Sequence, residues 1–274
     1  MEALTIYVGQ GELAIVRHQG EAVAIDTRWP DDQAEDIEKK VQTFLNGHKL
    51  VGVVLTGFDN DHADPVGLDH LLEEYEPDWV MYPKYYKDSD NATAVFQVIR
   101  KHERRRENTA HPLRKVSVRL DSLDSRFQDD LSVWFNYELF SPHIEDMDNS
   151  NNCSIVLKLE GLGEGGFTYL ITGDTENARW ETIATLFGDG LKSDVLSAPH
   201  HGSKNASHPK MALLVSPNTV LISAGVDNQY GHPDPQALKI YQRVAKHVFQ
   251  TNVEGGVSLH TKRSGDDFLT RLVR

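Results

Sequence analysis

Four apolar runs in this chain stop abruptly at turns that carry aspartate or histidine. Leu50 to Leu55 precedes Asp59, Asp61 and His62, and Tyr169-Leu170-Ile171 precedes Asp174. Val195-Leu196-Ser197 precedes His200 and His201, and Val220-Leu221-Ile222-Ser223 precedes His232. Apolar runs without alternation are the mark of strands buried on both faces, as in parallel sheets covered by helices. Side chains in the turn after such a strand collect at the carboxyl edge of the sheet, where α/β proteins place their sites. The pattern therefore demands helices between the strands.

The intervening stretches supply them. Asp31 to Leu45 puts Ala34, Ile37, Val41, Phe44 and Leu45 on one face and ends at Asn46-Gly47. Helices are also expected at 64–75, 93–106, 178–186, 209–215 and 235–244. Further strands are expected near 4–8, 13–16, 22–25, 79–82, 114–120, 131–137, 154–159, 167–172 and 248–251, with a closing pair near 256–260 and 268–272. Asp121–Asp130 and Ile144–Asn152 read as loops. The order is strands, β/α units, strands, β/α units and a hairpin. Two such halves predict two sheets face to face with helices outside, an αββα four-layer sandwich formed as a single domain over 1–274.

Composition narrows the function. Against 28 Lys and Arg stand 41 Asp and Glu, a net charge of −13. That balance argues against a broad nucleic-acid groove, although an ion can give one pocket positive charge. The single cysteine, Cys153, permits no intrachain disulfide and fits a reducing cytoplasm. The start of the chain has no basic n-region, and no apolar stretch approaches the ~20 residues of a membrane span. A cytoplasmic protein without a membrane segment is expected.

The chemistry lies in the turns. Asp59, Asp61 and His62 offer carboxylate oxygen and imidazole nitrogen within four positions, a set that suits Zn²⁺, Mn²⁺ or Fe²⁺. A solvated acidic turn capping the following helix would carry the same residues. Asp174 alone reads as a helix cap. Paired histidines before glycine, at His200-His201-Gly202, are unusual in a structural turn, whereas a lone His232 is not. Together the four turns argue for a metal centre. Lys101 to Arg106, with Arg114 and Lys115, forms a basic island, read as a solvated helix end or a strip for a polyanion. Arg28 and Lys204 adjoin the motif residues and are better placed to meet phosphate. Trp29, Tyr85, Tyr86 and Tyr230 serve either stacking or packing. His143, His208 and His247 have no motif support.

Val8-Gly9-Gln10-Gly11, Ile25-Asp26-Thr27, Thr56-Gly57-Phe58-Asp59-Asn60-Asp61-His62, Asn151-Asn152-Cys153-Ser154, Thr172-Gly173-Asp174, Pro199-His200-His201-Gly202-Ser203 and Tyr230-Gly231-His232-Pro233 occur in that order. This series resembles the metallo-β-lactamase superfamily, and within it the hydrolase domain of ComEC-type DNA-uptake proteins, here in a stand-alone form. The resemblance runs from about residue 4 to residue 260. It implies metal ligation by Asp59, Asp61, His62, Asp174 and His232, with Asp26, Asn152 and Ser154 behind the ligands. It implies catalytic roles for Asp61, His200 and His201, the histidines contacting phosphate or protonating a leaving group. Relatives carry histidine where Gly57 stands, so one of two metal positions is pared down and a single tightly held divalent ion, zinc or manganese, is expected.

The implied activity is metal-dependent hydrolysis of a phosphodiester by a metal-bound hydroxide, on a small phosphodiester or a nucleic acid. Two alternatives stand beside it. One is hydrolysis of an ester, lactone, amide or isopeptide. The other is a degenerate non-catalytic subunit that binds a partner protein. A homo-oligomer is also left open.

Overall fold

The computed structural model describes residues 1–85, 87–119, 130–140 and 149–274. In chain order its elements are β1 (Glu2–Thr5), β2 (Ala14–His18), β3 (Glu21–Ile25), α1 (Ala34–Leu45), β4 (Lys49–Val54), α2 (Pro65–Glu74), β5 (Trp79–Pro83), α3 (Asp90–Arg106), β6 (Arg114–Val118) and β7 (Phe135–Leu139). There follow β8 (Leu157–Gly161), β9 (Thr168–Ile171), α4 (Asn177–Phe187), β10 (Val195–Ser197), α5 (Pro209–Val215), β11 (Thr219–Ile222), α6 (Pro235–Val244), β12 (His247–Gln250), β13 (Ser258–Ser264) and β14 (Asp267–Val273).

One sheet runs β14-β13-β1-β2-β3-β4-β5-β6 and the other β12-β11-β10-β9-β8-β7. Between them lies a core that includes Val23, Val54, Met81, Leu157, Ile171 and Leu221. A second apolar layer joins the outer face of the first sheet to α1, α2 and α3 through residues such as Ile37, Leu68 and Val95. A third joins the other sheet to α4, α5 and α6 through Trp180, Met211 and Tyr241. The expected αββα sandwich is the observed one. Strands β3 to β6 run parallel, as do β9 to β12, so each sheet presents several strand ends at one edge.

Local chemistry explains the boundaries. Asn46 adopts a left-handed conformation, φ +44°, and closes α1. Asp64 caps α2 by accepting from Val66 N, and Pro65 occupies the first turn. Ser89 accepts from Ala92 N and starts α3 at Asp90, ahead of the expected Thr93. The strand expected over 131–137 lies at 135–139. Leu131 O instead accepts from Trp79 Nε1, and Glu21 accepts from the backbone of Val133 and Trp134, which holds the preceding residues out of the ladder. Similarly, the strand expected from 154 begins at Leu157, because Ile155 N donates across to Thr56 O. Most of the loops at 121–130 and 144–152, with Tyr86 and His143, lie outside the described residues.

The basic island is not a free strip. Lys101 pairs with Asp69, Arg105 with Glu73, Arg114 with Asp130 and Lys115 with Glu103, while Arg106 turns inward onto backbone carbonyls. No helix among the described residues is long and apolar enough to cross a membrane.

Candidate metal centre

The parallel strand ends of both sheets meet at one pocket of about 480 Å³. From the first sheet, β3 delivers Asp26 and β4 delivers the loop Thr56–His62. From the second, β9 delivers Asp174, β10 delivers His200 and His201, and the segment after β11 delivers His232. The loop after β4 is stitched to its neighbours by backbone. Asp61 O accepts from Glu12 N at 2.8 Å, and His62 O accepts from Thr27 N at 2.7 Å.

Asp26 is fully buried and left-handed, with φ +56°. It accepts from Thr56 N and Thr56 Oγ1, each at 2.7 Å, and from His62 Nδ1 at 2.7 Å. A carboxylate in that position can only accept, so His62 carries a proton on Nδ1 and turns Nε2 the other way. There Nε2 lies 2.9 Å from Asp174 Oδ1. Both atoms are buried, and neither is in hydrogen-bond alignment with a partner. Two lone pairs at that separation repel unless a proton or a metal ion lies between them.

His201 repeats the arrangement. Its Nδ1 donates to Ser223 O at 2.9 Å, and its buried Nε2 faces Asp61 Oδ2 at 3.6 Å and Asp174 Oδ1 at 3.9 Å. One ligand atom each from Asp61, His62, Asp174 and His201 falls within 4.8 Å of the others. Buried imidazole nitrogens with their second nitrogen fixed by hydrogen bonding, set against two carboxylates, are a donor set that fits a divalent transition metal.

The paired histidines reach this position through strain. His200 and His201 both adopt left-handed conformations, φ +51° and +54°, at a cost on the order of 1 kcal/mol or more each. His200 N donates to Gly173 O, which pins the turn. Gly202 follows at φ +80°, where a Cβ would lie 2.6 Å from Pro233. The glycine is thus required by close approach to the His232 segment.

Of the five residues expected to hold metal, Asp61, His62 and Asp174 come together. Asp59 does not join them; both its oxygens accept from Lys87 Nζ, at 2.5 and 2.6 Å. His232 lines the pocket, but its ring stacks on Tyr230 at 5.9 Å and meets His200 edge-on at 5.7 Å. His201, expected at the substrate, stands in the cluster instead. His200 lines the pocket between two acids, Nε2 3.7 Å from Asp174 Oδ2 and Nδ1 3.7 Å from Glu176 Oε1. Ser154 Oγ accepts from Asp174 N at 3.2 Å, and Asn152 Oδ1 accepts from Glu176 N at 3.1 Å, so both shape the loop beneath Asp174. Arg28 lines the pocket and pairs with Asp64 at 2.9 Å, whereas Lys204 is exposed outside it. Trp29 and Tyr85 pack against His70 and Phe58, and Tyr230 alone of the named aromatics reaches the pocket among the described residues.

Sequence reading missed Lys87, Ser150 and Glu176. Nothing in the local pattern around Lys87 marks it, since its partners are remote in the chain.

Electrostatics follow from this crowding. Burial opposes charge on His62, but Asp174 and Asp26 outweigh it and hold its pKa well above the ordinary histidine value. Burial opposes charge on His201 as well, and Asp61 and Asp174 reverse it. Burial pushes the Asp61 carboxyl up, yet His201 and His62 bring it down to about 2. His232 moves the other way, lowered by burial and by the neighbouring His200 and His201. Glu12, buried behind the cluster, is raised by burial and by Asp26.

Two raised histidines give a signed pH prediction. Their protons stabilise the metal-free fold below the unfolded value near 6.5, and this is lost as pH rises through the raised folded values. Metal binding requires those protons to leave. Melting of metal-stripped protein should therefore fall in temperature as pH rises above about 6.5. Over the same window the stabilisation by a fixed zinc concentration should grow, affinity gaining about tenfold per pH unit for each proton displaced. A zinc-induced melting shift that is equal at pH 6 and pH 8.5 would refute it.

No family model matches the chain. It is 28% identical over 273 residues to ComE operon protein 3 of Bacillus subtilis, covering 94% of this chain and 32% of that protein. It is 25% identical over 260 residues to Recombination protein 2 of Haemophilus influenzae, covering 93% and 28% respectively. Among solved structures, Igni18, a metallo hydrolase from the archaeon Ignicoccus hospitalis, superposes with a TM-score of 0.55 at 15% identity, covering 96% of this chain and 100% of that one. The chain has the metallo-β-lactamase fold, and in sequence it is similar over nearly its whole length to part of the ComEC-type proteins. The chain spans about a third of the length of the curated relatives it matches.

Proposed function

We propose that this chain is a metal-dependent hydrolase of phosphodiester bonds using one divalent ion. The observation that carries the reading is the pair of buried imidazole nitrogens, His62 Nε2 and His201 Nε2, aimed at Asp174 and Asp61 at the pocket floor. Asp61, His62, Asp174 and His201 would hold the ion, zinc or manganese, with His232 on the pocket wall beside them. A divalent ion bound there would polarise a phosphoryl oxygen and lower the pKa of water.

The chain's own groups divide the remaining work. Asp26 holds the His62 ring and its tautomer. Ser154 and Asn152 hold the loop that presents Asp174. His200, 23% exposed at the side chain and open to the pocket, delivers a proton to the departing oxygen, with the Asp174 and Glu176 carboxylates each 3.7 Å from one of its ring nitrogens. Arg28 gives the pocket a cation for an anionic substrate. The name of the Haemophilus relative, a recombination protein, favours a nucleic acid or its fragments as substrate. The net charge of −13 and the paired basic island favour short or single-stranded phosphodiesters over long duplex.

A second reading is hydrolysis of an ester or amide by the same centre. It is favoured by Lys87, whose three ammonium protons are all given to Asp59 and Ser150 and leave none for phosphate. Incubation of the zinc- or manganese-loaded chain with bis(p-nitrophenyl) phosphate, cyclic dinucleotides, single-stranded DNA, RNA and p-nitrophenyl acetate separates the two. Phosphodiester turnover that disappears on chelation and returns with metal is expected. Turnover of the acetate alone supports the second reading. Metal bound without turnover of any substrate supports a non-catalytic subunit for a partner protein.

A further inference from the structure

Lys87 stands in the loop between β5 and α3 and reaches the pocket wall. Its Nζ donates to Asp59 Oδ1 at 2.5 Å, to Asp59 Oδ2 at 2.6 Å and to Ser150 Oγ at 2.9 Å. An ammonium has three protons, and these contacts use all of them. Both Asp59 oxygens are engaged by one cation, in the two-point grip a carboxylate gives a metal. A divalent ion at Asp59 would need the oxygens that Lys87 now holds, and two cations at that spacing repel strongly.

The neighbouring backbone makes the same point from the other side. Gly57, two residues before Asp59, is not demanded by its conformation. A Cβ there would meet a single atom, Ser154 Oγ, at 3.9 Å, an ordinary contact. A side chain is tolerated at the position, yet none is there to help Asp59 hold a metal.

We propose that Lys87 is a resident cation that takes the place of a metal ion beside Asp59, making the centre a one-metal site by construction. The inference rests on the one-metal reading above and names the residue that enforces it. Lys87 neutralises Asp59, ties the loop after β4 to Ser150, and bars a second ion. Gly57 removes the ligand that such an ion would need. Lys87 is a positioning residue; its protons are spent within the protein and do not reach substrate.

The test counts metal rather than turnover. Wild type, Gly57→His, Lys87→Ala and the double variant are stripped by chelation, loaded with excess zinc, desalted and analysed for zinc per chain. Circular dichroism melts establish that each is folded, and Lys87→Met replaces Lys87→Ala where the smaller side chain unfolds the loop. One equivalent is expected in wild type and in both single variants, and a second equivalent only in the double variant. Two equivalents in wild type or in Gly57→His would show that Lys87 does not bar the second ion and would overturn the inference while leaving the hydrolase reading intact. A folded double variant that holds one equivalent would overturn it as well. No zinc in any of the four would sink the metal-dependent reading itself, and this inference with it.

Discussion

Replacing Asp174 with alanine is expected to cost the chain its metal and with it nearly all hydrolysis. Asp174 is 7% exposed and stands between His62 at 2.9 Å, His200 at 3.7 Å and His201 at 3.9 Å. Its pKa lies well below the ordinary carboxylate value despite burial, because those imidazoles hold it charged. Removing one member of a buried charged set costs about 3–5 kcal/mol, which predicts zinc binding weaker by about 10² to 5 × 10³-fold. Turnover at limiting zinc should fall at least as far. Equilibrium dialysis against zinc, together with rates at matched free metal, measures both. A variant that keeps one zinc equivalent with wild-type affinity would remove Asp174 from the centre.

The second large effect separates two histidines to which the sequence resemblance gives the opposite roles, metal ligand for His232 and substrate contact for His201. His201→Ala is expected to weaken zinc binding by about 100-fold or more, since it deletes a nitrogen already aimed at Asp61 and Asp174. His232→Ala is expected to keep the zinc equivalent and to lose turnover instead, because its ring packs between Tyr230 and His200 on the pocket wall. His200→Ala serves as the control that also keeps the zinc. The opposite pattern, with zinc lost in His232→Ala and kept in His201→Ala, would mean that the ring of His232 swings inward when metal binds and that His201 serves the substrate.

Much of the fold is legible along the chain because its signals are local. The apolar face of α1 spans Ile37, Val41, Phe44 and Leu45, all buried as the spacing requires. Pro209–Val215 and Pro235–Val244 begin where a proline follows a residue that caps the helix. The strands that slipped did so for remote reasons. Glu21 seizes the backbone before β7 from 112 and 113 residues away, and Thr56 draws Ile155 out of β8. No pattern within a few residues encodes such contacts.

The site divides along the same line. By itself the sequence determined that four buried strands end in Asp and His, which follows from the apolar runs and from ligand types placed directly after them. The place of Asp26 behind the ligands came only from the family resemblance, and its contact with His62 from the structure. Only the tertiary structure decided which of those residues meet. It turned two consecutive left-handed residues so that His201, not His232, faces Asp61 and Asp174. It also brought Lys87 onto Asp59 and Ser150, partners 28 and 63 residues away. The physical reason is that each strand fixes its own turn, whereas the distance between turns is set by how two sheets pack through their shared core. An ångström of that packing separates a ligand from a neighbour, and it is written across the whole chain rather than in any one segment.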